Sequence, residues 1–257
     1  MATFTTEITS DSISSDNPIH QRLLTAYYLA QPYISGHLLE VGCGEGRGIG
    51  LLHPLCQSYT AVDKIGPVLE KLRPKFPQVE FVQMTLPPLQ GLENDHFDCV
   101  VSFQVIEHIM DDLHYLKEIH RVLKPGGVAL ITTPNIKKTL TRNPWHIREY
   151  QAQQLHDLAS GVFENVQVKG ITGNQKVMDY YDQNKTSVEK ITRFDLLDLQ
   201  HRLPSWLLKI PYDLLNRINR RRLQKGDQGL VSTISHADYY MVDRGDEALD
   251  LFAILTK

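Results

Sequence analysis

Three cysteines in 257 residues, Cys43, Cys56 and Cys99, are too few and too odd in number for a disulfide framework. Each sits among apolar or glycine neighbours, which suits reduced thiols in a reducing compartment, and no disulfide is expected. Long apolar runs are also missing: no window holds the ~18 consecutive apolar residues that a spanning helix needs. The opening MATFTTEITSDSISSDNP has neither the basic start nor the apolar stretch of a signal peptide, so a disordered tail over residues 1–16 and a cytoplasmic location are the expectations. Positive charge is not in excess overall; 27 Lys and Arg against 30 Asp and Glu give −3, which suggests no nucleic acid partner. Internal repeats are absent, as is low complexity beyond the tail. What remains is a chain of a size for one globular domain with an embellishment, over residues 17–257.

The pattern that is present alternates. Asn17 and Pro18 open a helix in which Ile19, Leu23, Leu24, Tyr27 and Tyr28 recur at helical spacing up to Pro32. Short buried strands are predicted at 37–41, 59–62, 79–82, 97–102 and 128–133, with gaps long enough for crossover helices. A helix follows at 151–159 and strands at 165–171 and 249–256. Such alternation predicts an α/β fold whose parallel sheet is covered on both faces.

Strand 37–41 runs straight into Gly42-Cys43-Gly44-Glu45-Gly46-Arg47-Gly48. Missing Cβ atoms let backbone N–H groups approach a ligand where a strand hands over to a helix. The dinucleotide-binding pattern is broken, because position 47 is Arg where its third glycine belongs. Asp63 ends the next strand, 19 positions after Gly44, where a carboxylate can accept from two ribose hydroxyls or can merely cap a turn. Glu40 stands inside a buried strand end and needs a partner, which a bound cation or amine would supply.

The string Leu38-Leu39-Glu40-Val41-Gly42-Cys43-Gly44-Glu45-Gly46 resembles the first motif of class I S-adenosylmethionine-dependent methyltransferases of the small-molecule type. The resemblance continues in order. The run from Phe97 through Gln104 to Glu107-His108 is similar to the family's fourth strand and its loop. Arg121-Val122-Leu123-Lys124-Pro125-Gly126-Gly127, with Thr133-Pro134-Asn135 beyond it, is similar to the turn before the fifth strand and that strand's end. The resemblance covers about residues 19–170. It implies a Rossmann-like doubly wound sheet, mostly parallel with one antiparallel strand near the C-terminus, plus a helical insertion. It also implies S-adenosylmethionine as cofactor. Glu40, Gly42, Cys43 and Gly44 would hold its methionine end, Asp63 its ribose, Lys64, Met84 and Thr85 its adenine, and Gln104 would lie beside the methionine. Many relatives carry an Asp near position 84 or 85; this chain does not, so the Thr85 hydroxyl, a carbonyl or water must serve the adenine amino group.

Asn143 to Tyr150, NPWHIREY, resembles the His-x-x-Glu-aromatic stretch that borders the acceptor pocket in many such enzymes. The alternative is that Trp145 and Tyr150 pack the core and Arg148 and Glu149 pair at the surface. A methyl sulfonium is already activated, so alignment and water exclusion matter most, and a base helps if the acceptor is a hydroxyl. His146 and then His108 are the candidate bases, although His108 could simply cap the next helix. No spacing suggests a chelating set, and no metal is expected. Competing readings are a non-catalytic S-adenosylmethionine binder or scaffold and an NAD-dependent dehydrogenase.

A lid-like insertion is expected at about 173–247. Residues 185–225 hold ten Lys and Arg against four Asp and Glu, a local +6 that leaves −9 elsewhere. Trp206, Leu207, Leu208, Ile210, Leu214, Leu215 and Ile218 stand near helical spacing before Arg220-Arg221-Arg222, with Pro204 and Pro211 expected to interrupt any continuous helix. Three roles compete: a solvated lid or dimer contact, a site for an acidic or phosphate-bearing small-molecule acceptor, and a peripheral membrane contact. Monomer and homodimer both remain open.

Overall fold

The computed structural model describes residues 14–193, 195, 198–226 and 228–257. Among the described residues, eight strands form one sheet: β1 (His37–Val41), β2 (Ser58–Asp63), β3 (Val79–Gln83), β4 (Phe97–Phe103), β5 (Leu123–Pro134), β6 (Asn165–Gly173), β7 (Tyr239–Val242) and β8 (Asp250–Thr256). Their order is β3-β2-β1-β4-β5-β8-β6-β7. β1 to β5 pair in parallel, whereas β8 is antiparallel to β5 and to β6, and β7 is antiparallel to β6. The antiparallel strand expected near the C-terminus is therefore β8. A second, β7, comes from the insertion and was not predicted: four residues at a sheet edge carry too short a pattern to read.

The helices are α1 (Asn17–Ala30), α2 (Ile49–Leu52), α3 (Gly66–Leu72), α4 (Asp112–Val122), α5 (Ala152–Ser160), α6 (Gln175–Thr192), α7 (Leu199–Arg202), α8 (Ser205–Gly226) and α9 (Gln228–Thr233). The central strands are apolar on both pleats, and each pleat feeds a separate core. Leu38, Ala61, Cys99, Leu130 and Phe252 pack beneath α1, α3, α6 and α9, while Leu39, Val62, Val100, Ile131 and Leu251 pack beneath α4 and α5. α4 begins where the Asp111 carboxylate accepts from His114 N at 3.0 Å.

Two boundaries differ from expectation. Of the tail assigned to 1–16, residues 1–13 lie outside the described residues, but Ser14–Asp16 form a 3₁₀ turn in which Asp16 is buried and paired with Arg220 at 3.2 Å. Pro204 precedes α8 as a helix breaker should, yet Pro211 sits inside this 22-residue helix. The missing N–H costs one bond toward Leu207, which is exposed enough for water to take the carbonyl.

Candidate active site

The turn after β1 is held by Gly42 N and Cys43 N, which donate to Val62 O at 2.8 and 3.1 Å. Gly44 has φ 51°, and a Cβ there would meet nothing within 4 Å, so its backbone faces open space. Gly44 N donates to Asp63 Oδ2 and Ile65 N to Asp63 Oδ1, both at 2.9 Å. Asp63 thus stays aimed at the turn, and each oxygen retains acceptor capacity for a ligand hydroxyl. Burial pushes the Cys43 thiol upward, which keeps it neutral. The close-packing glycine that the sequence lacks at position 47 is present one residue later. A Cβ on Gly48 would lie 1.8 Å from the Tyr27 ring of α1.

Glu40 is 2% exposed, and its partners are within the chain. The Tyr27 hydroxyl donates to Oε1 at 2.7 Å and the Tyr59 hydroxyl to Oε2 at 2.6 Å. The inference that a bound cation must satisfy this acid is therefore corrected, because two phenols already do. Desolvation raises the Glu40 pKa to about 7, against the lowering effect of those two hydrogen bonds. Lys64, Met84 and Thr85 follow β2 and β3 at the same sheet end. Met84 N donates to Asp63 O at 3.0 Å and is half-buried, whereas Lys64 and Thr85 are exposed.

Gln104, after β4, has φ 58°, a left-handed conformation that a non-glycine residue adopts only when its surroundings compel it. Its N–H donates to Thr132 O at 2.9 Å and its Nε2 to Thr132 Oγ1 at 3.4 Å. Gln104 also lines a cavity of about 270 Å³ that runs from the carboxyl ends of β4 and β5 to α1, α6 and α8. His108, His146, Glu107 and Glu149 line the same cavity. Neither the glycine turn nor Asp63 does; the nearest link is Val105, next to Gln104 in the chain, whose side chain lies 2.4 Å from where a Cβ on Gly42 would stand.

The two candidate histidines meet edge to face, with ring centroids 5.0 Å apart. His108 Nδ1 donates to Trp145 O at 2.9 Å, which places the ring's lone pair on Nε2. His146 Nδ1 donates to Glu149 Oε1 at 2.6 Å, and Asn143 Nδ2 donates to His146 Nε2 at 2.9 Å. Thr139 Oγ1 donates to the other Glu149 oxygen. Glu149 therefore orients His146 instead of pairing with Arg148, which binds Asp112 together with the Tyr150 hydroxyl. Tyr150 is core. Trp145 is not: its Nε1 donates to Asp213 of α8 at 3.1 Å, and Lys209 lies 4.1 Å over its ring. Glu107 is 1% exposed, accepts from Thr133 Oγ1 at 3.0 Å, and desolvation raises its pKa to about 7.

Sequence spacing missed Glu107, Asn143 and Thr139. It also missed that Glu107, His108 and His146 each bring one ligand atom within 4.8 Å of the others, a group able to hold a metal ion. Both ring nitrogens of His146 already have protein partners, so an ion there must displace Asn143.

A family model described as a methyltransferase domain matches residues 39–131. A probable S-adenosylmethionine-dependent methyltransferase of Mycobacterium tuberculosis is 33% identical over 162 residues, 61% of this chain and 59% of that protein. Its Mycolicibacterium smegmatis counterpart is 34% identical over 160 residues, 60% of this chain and 62% of that protein. The matched region thus spans about six tenths of these curated relatives. Among solved structures, a Thermotoga maritima S-adenosylmethionine-dependent methyltransferase, titled a possible histamine N-methyltransferase, superposes with TM-score 0.59 at 17% identity, covering 95% of this chain and 91% of that one. The sheet, the open glycine turn with its carboxylate, and these likenesses agree: residues 39–131 match a methyltransferase domain, and the chain is similar over about six tenths of its length to S-adenosylmethionine-dependent methyltransferases.

Proposed function

We propose that this chain transfers a methyl group to an oxygen atom of a small acceptor held in the cavity beside Gln104, with His146 as base. The observation that carries this reading is the Glu149–His146 couple, 2.6 Å apart, lining the same cavity as Gln104. The residues present fit the family's cofactor: Gly44 offers unobstructed backbone, Asp63 a fixed carboxylate for ribose hydroxyls, and Glu40 an acid near the methionine end. Gly42 and Cys43 would frame the methionine, and Lys64, Met84 and Thr85 would border the adenine. When bound, S-adenosylmethionine supplies an electrophilic methyl group.

The chain's own part is positioning and proton removal. Glu149 keeps the imidazole lone pair of His146 on Nε2, where the acceptor hydroxyl would take the place that the Asn143 amide holds. His108 is the second candidate base. Lys138 on the cavity wall supports an acidic or phosphate-bearing acceptor, while Arg22 and Arg220 on the same wall are already paired with Asp250 and Asp16. α6 and α8 supply the far wall, which supports reading residues 173–247 as a lid within one domain. No chemistry in this scheme calls for a metal.

Calorimetry tests the cofactor half. S-adenosylmethionine and S-adenosylhomocysteine should bind, NAD should not, and Asp63→Ala should weaken binding by about 2–4 kcal/mol through two lost charge-assisted hydrogen bonds. Methyl transfer from labelled S-adenosylmethionine to hydroxylated acceptors tests the rest. His146→Ala should lower kcat ~10²–10⁴-fold with cofactor affinity unchanged. Cofactor binding with no transfer to any acceptor would favour a non-catalytic binder.

A further inference from the structure

Helix α8 is amphipathic in the reverse sense from a helix that covers a soluble domain. Its inward side is polar. Tyr212, Asn216, Asn219 and Arg220 line the cavity, Asn219 accepts from Ser187 and donates to Asn184 of α6, and Arg220 pairs with Asp16. Its outward side is apolar: Trp206, Ile210, Leu214 and Ile218 recur every fourth residue and are 71, 79, 58 and 53% exposed. Leu207 and Leu215 widen the stripe at 43 and 47% exposure. A contiguous apolar stripe of this kind marks a surface that something else covers.

Charge selects what covers it. Beyond the stripe, Arg217, Arg221 and Arg222 are exposed, within the segment whose local charge is +6. A second copy docked through the same face would bring like-charged helices together. A lipid surface with anionic headgroups offers what the helix lacks at both places, an apolar boundary for the stripe and phosphates for the guanidinium groups. No described helix is long and apolar enough to cross a membrane, so α8 would lie in the plane of the interface.

We infer that α8 docks the protein on an anionic membrane surface through Trp206, Ile210, Leu214 and Ile218, with Arg217, Arg221 and Arg222 on lipid phosphates. The same helix walls the cavity, so docking sets that cavity about one helix diameter, ~10 Å, from the headgroups. An acceptor carried on a lipid is then within reach, a consequence that rests on the methyl-transfer reading; the docking does not.

The test is co-sedimentation of the full chain with phosphatidylcholine vesicles with and without phosphatidylglycerol. The expected result is binding to the phosphatidylglycerol vesicles, loss of it at high salt, and little binding to phosphatidylcholine alone. Ile210→Asp with Leu214→Asp, and separately Arg217→Glu with Arg221→Glu, should each weaken binding at least about tenfold. These side chains point to solvent, so circular dichroism and Tm should not change. Absence of binding, or binding indifferent to both pairs of substitutions, overturns the inference. So does lipid-free self-association that Ile210→Asp abolishes, which would assign the face to a second copy. S-adenosylmethionine calorimetry on the same samples separates failure of docking from failure of the methyl-transfer reading.

Discussion

Glu40→Gln should change how stability responds to pH more than it changes stability itself. The buried carboxyl has its pKa raised from 4.5 to about 7 in the folded chain, with burial as the largest cause. Between those two pH values the native state holds a proton that the unfolded chain has released. The stabilisation is fully present below 4.5 and is lost as pH rises through 7. At 1.36 kcal/mol per pH unit, the window from 4.5 to about 7 corresponds to about 3 kcal/mol. Glutamine keeps one acceptor oxygen for a tyrosine hydroxyl, donates from its amide nitrogen to the oxygen of the other tyrosine, and never ionises. The variant should therefore gain about 3 kcal/mol on wild type between pH 5 and pH 8, read by urea unfolding followed by far-UV circular dichroism. A difference between the two proteins that stays constant over that range refutes the reasoning. It would mean that the two tyrosines hold Glu40 as an anion throughout.

Glu107→Gln should remove a second component of the same sign, since its carboxyl is also raised to about 7. Gly44→Ala should leave the fold within about 1 kcal/mol of wild type, because only the positive φ is strained, while calorimetry shows S-adenosylmethionine affinity reduced more than about tenfold. Gly48→Ala should do the opposite, costing about 3 kcal/mol of stability from its collision with the Tyr27 ring; an unchanged Tm would argue against that packing. Gln104→Gly should raise stability by about 1 kcal/mol by relieving the left-handed backbone, and lower kcat, in paired unfolding and transfer assays.

The chain announces its sheet clearly because the strands are buried on both faces and read as apolar runs; 37–41 and 97–102 are strands to within a residue. β7 and the continuity of α8 through Pro211 were not legible. One depends on a neighbouring strand for its pairing, and the other on solvent that accepts the freed carbonyl. At the site, the separation of Gly44 from Asp63 and the His146–Glu149 spacing could be read along the chain, but the bond from Gly44 N to Asp63 could not. The tyrosines around Glu40 could not, since Tyr27 comes from α1 and Tyr59 from β2, and their meeting exists only in three dimensions. The left-handed Gln104 and the contact between His108 and His146 are likewise products of how loops from different strands converge.

β8 is the last of the eight strands in sequence, yet it lies between β5 and β6, hydrogen-bonded along both edges. During synthesis the first five strands can assemble as they emerge, but β5 then presents an open edge while β6, the five helices α5 to α9 and β7 are being made. Only when β8 slides in does the sheet become continuous. Until β8 is made, the edge of β5 is open to mispairing, and that one strand joins the parallel half of the sheet to β6 and β7.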